Sequence, residues 1–197
     1  MILSDKDIKI ALQSGEIVID PFFTNAIQPA SVDLHLGSKF LIFKLDAHTL
    51  IDPKEPVDNM MTAVEIDPHR QFILHPGQFA LGQIYETTGV GNGLVGRLEG
   101  KSSLGRIGLI IHVTAGYLDP GNKLKMTLEL HNVSPLPMKL YYRMPIAQMA
   151  FERLTSDAEK PYGKSALGSK YYGDMGPKAS EYYKNFLHNN EWFDYSK

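Results

Sequence analysis

Two periodicities divide the chain. Near the N-terminus, Ile8, Ala11 and Leu12 recur at helical spacing, with Ser4 ahead of them as a cap. Asp5 and Asp7 suit the first turn of such a helix, because carboxylates there face the positive end of its dipole, and Gly15 is placed to end it. After that the period drops to two. Val32, Leu34 and Leu36 alternate with polar residues, residues 40–43 form an apolar run, and His75-Pro76-Gly77 is a turn between runs at 72–74 and 79–84. Further short runs near 95–98, 110–113, 126–130, 138–141 and 146–151 predict strands. A second short helical turn is expected at 103–107. Many short strands parted by Gly, Pro and Asp turns predict an all-β barrel or jelly roll.

From Thr155 the composition changes. Tyr162, Gly163, Lys164, Ser165, Gly168, Ser169, Lys170, Tyr171, Tyr172 and Gly173 show no strand or helix period. A solvated tail and a lid that folds over a phosphate both fit that composition, and the tyrosines favour the lid. The expected organisation is a barrel over 1–154 and a lid over 155–197. Tyr183, Phe186 and Leu187 could line a short amphipathic helix within 180–193.

Composition then removes whole classes of function. At 197 residues with 43% hydrophobic content, the chain suits one soluble domain with a sizeable core. A formal net charge of −2 offers no electrostatic footprint for nucleic acid. No apolar run approaches the ~20 residues of a membrane span, and MILSDKDIKIAL lacks the features of a signal peptide, so a cytoplasmic address is expected. The absence of cysteine excludes disulfides, thiolate nucleophiles and every Cys-containing zinc site, including that of the zinc-dependent nucleobase deaminases. None of the seven histidines forms a close metal pair.

Chemistry concentrates between Arg97 and Glu129. Gly100-Lys101-Ser102-Ser103-Leu104-Gly105-Arg106 offers ammonium, hydroxyl and guanidinium donors between two glycines that let backbone approach a ligand. It is not a Walker A loop, because Arg97 stands where the first glycine belongs. Alone it would read as a polar turn capping a helix. Thr114-Ala115-Gly116-Tyr117-Leu118-Asp119-Pro120-Gly121 and the strand carboxylate Glu129 follow closely, and phosphate donors beside carboxylates suggest a nucleotide site.

At these residues the chain resembles the dCTP deaminase family, which shares its fold with the trimeric dUTPases. The resemblance runs from MILSDKDI through Asp20-Pro21, Gln28-Pro-Ala-Ser-Val-Asp-Leu, His75-Pro-Gly, the block 100–121, Thr127-Leu128-Glu129, Gln148, Pro161-Tyr162 and Gly168-Ser-Lys-Tyr171. It implies a dUTPase-like distorted β-barrel, a homotrimer with active sites at subunit interfaces, and a nucleotide substrate, dCTP or dUTP. Carried over, Lys101, Ser102, Ser103, Leu104, Gly105 and Arg106 would hold phosphates and position water. Asp119 would meet the deoxyribose, and Thr127, Leu128 and Glu129 with the Ala115 and Gly116 backbone would meet the base. Gln148, Tyr162, Lys170 and the position held by Asp174 would complete the triphosphate site. Glu129, Ser102 and Arg106 would be catalytic, without zinc, with Mg²⁺ bound through the triphosphate. The Ala115-Gly116 pair, similar to a dUTPase motif, implies the bifunctional members that release dUMP. The alternatives are a deaminase that stops at dUTP, a dUTPase that does not deaminate, and a non-catalytic nucleotide sensor. Three departures stand out: Asp174 replaces a common glutamine, Asn122-Lys123-Leu124-Lys125 lacks the aromatic and glycine usual after Asp-Pro-Gly, and Arg143 replaces a turn glycine.

Overall fold

The computed structural model describes residues 1–45, 49–163 and 168–187. The first helix spans Asp5–Ser14; the Ser4 hydroxyl accepts from the Asp7 amide at 3.4 Å, and Gly15 closes the helix at φ 76°. Only glycine takes that left-handed conformation without cost. Ile8 and Ala11 are buried on its inner face.

The rest is mostly β. One five-stranded sheet runs Leu109–Ile110, Thr127–Asn132, Phe79–Gln83, Lys39–Phe43, Met61–Glu65 in spatial order. A second runs Tyr117–Leu118, Leu94–Gly100, Pro145–Arg153, Ser31–His35, Ile27–Gln28. A three-stranded sheet (Ile17–Asp20, Thr87–Val90, Lys123–Leu124) and a two-stranded one (Met138–Tyr141, Gln71–Leu74) complete the body. Every pairing is antiparallel. Alternation supplies the core: Leu34, Phe40, Leu98, Leu128, Leu130, Met149 and Phe151 point inward from different strands and pack into one cluster.

Some expectations hold and others need correction. The turn between 72–74 and 79–84 is present as expected, with Gly77 at φ 72°, and its two arms join different sheets. Gln71–Leu74 pairs with Met138–Tyr141, and Phe79–Gln83 lies between Thr127–Asn132 and Lys39–Phe43. A turn signal fixes where the chain reverses and says nothing about which sheet each arm joins. The run at 110–113 is a strand only through Ile110. The second helix is Ser102–Gly105, slightly earlier than the expected 103–107. Strands at Ile17–Asp20, Met61–Glu65, Thr87–Val90, Tyr117–Leu118 and Lys123–Leu124 have no counterpart in the pattern reading. Arg143, in place of a turn glycine, holds φ 61°, and its guanidinium lies over the rings of Tyr85 (4.8 Å) and Phe23 (5.3 Å). Those contacts offset part of the strain of the left-handed backbone.

The described part of the tail returns to the barrel. Tyr162 N–H donates to Pro120 C=O, Lys125 N–H donates to Asp174 C=O, and Ala179 is buried against Val57, Met61 and Leu81. Tyr182–Phe186 forms a 3₁₀ turn within the expected 180–193 helix; residues 188–193 lie outside the described residues.

Candidate functional site

Glu129 sits on Thr127–Asn132, whose even positions face the core, so Thr127 and Glu129 point the other way. One carboxylate oxygen, Oε2, accepts from the backbone N–H groups of Val113 (2.7 Å) and Thr114 (3.3 Å). Those amides are available because the neighbouring strand stops at Ile110 and the chain turns away. Its other oxygen, Oε1, has no protein donor among the described residues. The carboxylate is therefore oriented through one oxygen and open through the other.

Glu129 lines a cavity of about 370 Å³. One wall is apolar, with Val57, Leu81 and Met126; another carries Ala115, Asp119, Asn122 and Thr127. The tail supplies the remainder, namely Tyr162, Tyr171, Asp174, Lys178 and Ser180. Apolar and polar walls with a few convergent polar groups are what an orienting small-molecule site needs. Burial raises the Asp119 carboxyl above the ordinary range. A ligand hydroxyl donating to it would relieve that penalty. A larger cleft of about 800 Å³ is lined by residues 43–45, 49–51, 60 and 75–79, and among the described residues Lys44 and His75 are its ionisable groups. The smaller cavity, which gathers several carboxylates, is the better candidate.

The other expected residues form a separate group. Lys101 ion-pairs with Asp33 at 2.7 Å. Ser102, Ser103, Gly105 and Arg106 are exposed, while Leu104 packs against the core. Gln148 accepts from Ser31 Oγ at 3.2 Å and donates to Gly100 C=O at 3.4 Å. None of these lines the Glu129 cavity. The expected residues thus fall into two groups: carboxylates and tail at the cavity, cations and hydroxyls on an exposed loop beside Gln148.

Three further placements matter. Leu128 is fully buried in the core, so a ligand could meet it only through its backbone. Lys170 does not line the cavity; its carbonyl accepts from Lys178. Gly116 is required by packing, because a Cβ there would lie 2.5 Å from the Leu98 carbonyl oxygen, and Leu98 N–H donates to Gly116 C=O. A side chain at 116 would therefore break the strand contact before reporting on any ligand, whereas Ala115 is exposed and borders the cavity.

Sequence reading did not single out Asp33 and Ser31, which tether Lys101 and Gln148, or Lys178 as part of the cavity wall. Asp33 and Ser31 lie in the Gln28-Pro-Ala-Ser-Val-Asp-Leu motif, and that was the only available signal. Glu86, buried and bonded to His35 through both oxygens, was not foreseen either.

A family model described as dCTP deaminase-like matches residues 2–154. A "dCTP deaminase, dUMP-forming" of Corynebacterium jeikeium (strain K411) is 50% identical over 186 residues, covering 94% of this chain and 99% of that protein. One of the same description from Mycobacterium sp. (strain KMS) is 48% identical over 187 residues, covering 95% and 98%. The solved 2′-deoxycytidine 5′-triphosphate deaminase of Agrobacterium tumefaciens superposes with a TM-score of 0.60 at 20% identity over 77% of this chain. The matched region spans 47% of that longer chain. At that identity the likeness speaks for the dUTPase-like, all-β fold.

Proposed function

Since the chain belongs to the dCTP deaminase-like family, we propose that it converts dCTP to dUMP in one pocket, releasing ammonia and pyrophosphate. The observation that carries this reading is the fixed, half-open carboxylate of Glu129 beside Asp119 in a nucleoside-sized cavity.

Deamination adds water across the C4–N3 bond and then breaks the C4–N4 bond. Glu129 takes a proton from the water, delivers it to N3, and returns one to the departing amine, so ammonia leaves and a C4 carbonyl remains. The Val113 and Thr114 amides keep the carboxylate facing the ring while it exchanges protons. Ser102 and Arg106 orient the water and stabilise charge as it develops. Asp119 accepts from the deoxyribose hydroxyl, and the Thr127, Leu128 and Ala115 backbone reads the base. A second water attacks the α-phosphorus, the bond to the bridging oxygen breaks, and pyrophosphate departs. The sum is dCTP plus two waters giving dUMP, ammonia and pyrophosphate.

Mg²⁺ would be bound through the nucleotide's phosphates and would supply charge neutralisation as pyrophosphate leaves. Among the described residues, no group of three or more His, Cys, Asp or Glu side chains is placed to hold an ion.

The separation of the two groups supports a homotrimer in which the Lys101, Ser102, Ser103 and Arg106 loop and Gln148 of one copy meet the Glu129 cavity of another. Tyr162, Lys170 and Asp174 would then close over the phosphates. We place the enzyme in the cytoplasm with its nucleotide pool; no helix among the described residues is long and apolar enough to cross a membrane.

Ammonia release tests the substrate assignment. With Mg²⁺ present, dCTP should sustain turnover and dCMP should not, because dCMP lacks the phosphates that the exposed loop is built to hold. Faster release from dCMP, or none from dCTP, would refute the assignment.

A further inference from the structure

The Glu129 cavity has three carboxylates in its wall, Asp119, Glu129 and Asp174, and one cationic side chain, Lys178. Lys178 Nζ lies 3.1 Å from Glu181 Oε1 and 3.4 Å from Asp174 Oδ1, and it donates to Lys170 C=O at 3.4 Å. Glu181 is bound on its other side by Lys184 at 2.7 Å. The result is a line of alternating charges, Asp174, Lys178, Glu181 and Lys184, that is neutral before any ligand arrives. Burial works against the Lys178 charge, but the Glu181 bond and the Asp174 charge outweigh it, and its ammonium is held above the ordinary lysine range. Asp174 is turned inward: its side chain is 20% exposed, and Oδ2 is buried without a donor. Among the described residues, one contact to Lys178, longer than a good charge-assisted bond, offsets this carboxylate.

A highly charged polyphosphate entering this cavity changes the balance. The 3.4 Å Asp174 contact is the weaker of the two carboxylate contacts Lys178 makes, so it is the one an incoming anion displaces. We propose that Lys178 is a phosphate-binding residue of this pocket and that Asp174 is its built-in competitor. On arrival of a nucleotide, the ammonium exchanges Asp174 Oδ1 for a phosphate oxygen while keeping Glu181. This inference rests on the reading of the cavity as a nucleotide site.

The two residues then have opposite signs of effect. Without Lys178, Asp174 faces the phosphates alone and repels them. Without the Asp174 charge, Lys178 is released toward the phosphates. A purely structural salt bridge predicts that either loss weakens every ligand alike.

The test measures binding of inorganic triphosphate, dCTP and deoxycytidine by calorimetry to the full-length protein. Lys178→Met should weaken triphosphate and dCTP about tenfold or more, since the phosphates lose a contacting cation and meet the Asp174 charge directly. It should leave deoxycytidine within twofold, which also reports that the pocket is folded. Asp174→Asn should tighten triphosphate several-fold, and Lys178→Arg should bind triphosphate nearly as wild type does. Equal losses for deoxycytidine and triphosphate in Lys178→Met, or no tightening in Asp174→Asn, would overturn the proposal. If wild-type protein binds neither dCTP nor deoxycytidine, the nucleotide reading itself fails, a distinct result.

Discussion

Glu129→Gln should lower dCTP deamination by about 10²–10⁴-fold, the usual contribution of a positioned proton carrier. The substitution keeps the side chain's shape, and with the amide oxygen turned to the place Oε2 holds now, the Val113 and Thr114 amides retain an acceptor and the fold should melt as wild type does. What is lost is the capacity to take and return a proton. A steady-state assay of ammonia release, with thermal melting alongside, separates the two. A variant within a few-fold of wild type would remove Glu129 from the chemistry.

Mixing two inactive variants should restore activity. In the assembly proposed here, each site takes Glu129 from one copy and Arg106 from another. Glu129→Gln and Arg106→Ala should each be nearly silent, and Arg106 is exposed, so its truncation leaves the core intact. In random mixed trimers at equal ratio, about a quarter of the sites combine an intact Glu129 with an intact Arg106, and activity should return to about that fraction of wild type. If both residues served from the same copy, no mixing ratio would yield an intact site. Recovery after subunit exchange, read against each variant alone, decides between the two geometries.

Much of this protein was legible in its sequence, for reasons that can be traced to particular residues. The first helix carried its own signals in Ser4, Asp5, Asp7 and Gly15, and each acts there as expected. Strands with strong alternation, such as Ser31–His35 and Thr127–Asn132, were readable because one face is buried and the other is not. Thr87–Val90 was not readable, since all of its residues are buried and two are threonines, so no alternation exists. The turn at His75-Pro76-Gly77 was readable too, but not the sheets its two arms join, because sheet partners are chosen by tertiary packing.

The site was legible as a set of residue types and motifs; its geometry was not. Nothing local shows that Lys101 will meet Asp33 across 68 positions, or that the amides of Val113 and Thr114 will grip Glu129. Glycine at 116 also has a reason its motif does not suggest, because the neighbouring Leu98 backbone leaves no room for a side chain. Asp174 looked like a repulsive substitution that pairing with Lys170 or Lys178, or outward rotation, could relieve; with the tail folded against the barrel it lies 3.4 Å from Lys178.

The central claim is that one pocket carries dCTP through both bond cleavages. The direct measurement is a rapid-quench single turnover, with enzyme in excess over labelled dCTP, Mg²⁺ present, and excess unlabelled dUTP added as a trap once the substrate is bound. The account predicts that label passes from dCTP to dUMP, with one ammonia and one pyrophosphate per dUMP, and does not equilibrate with the dUTP pool. Label that accumulates as dUTP, with no dUMP formed from the trapped complex, would contradict it.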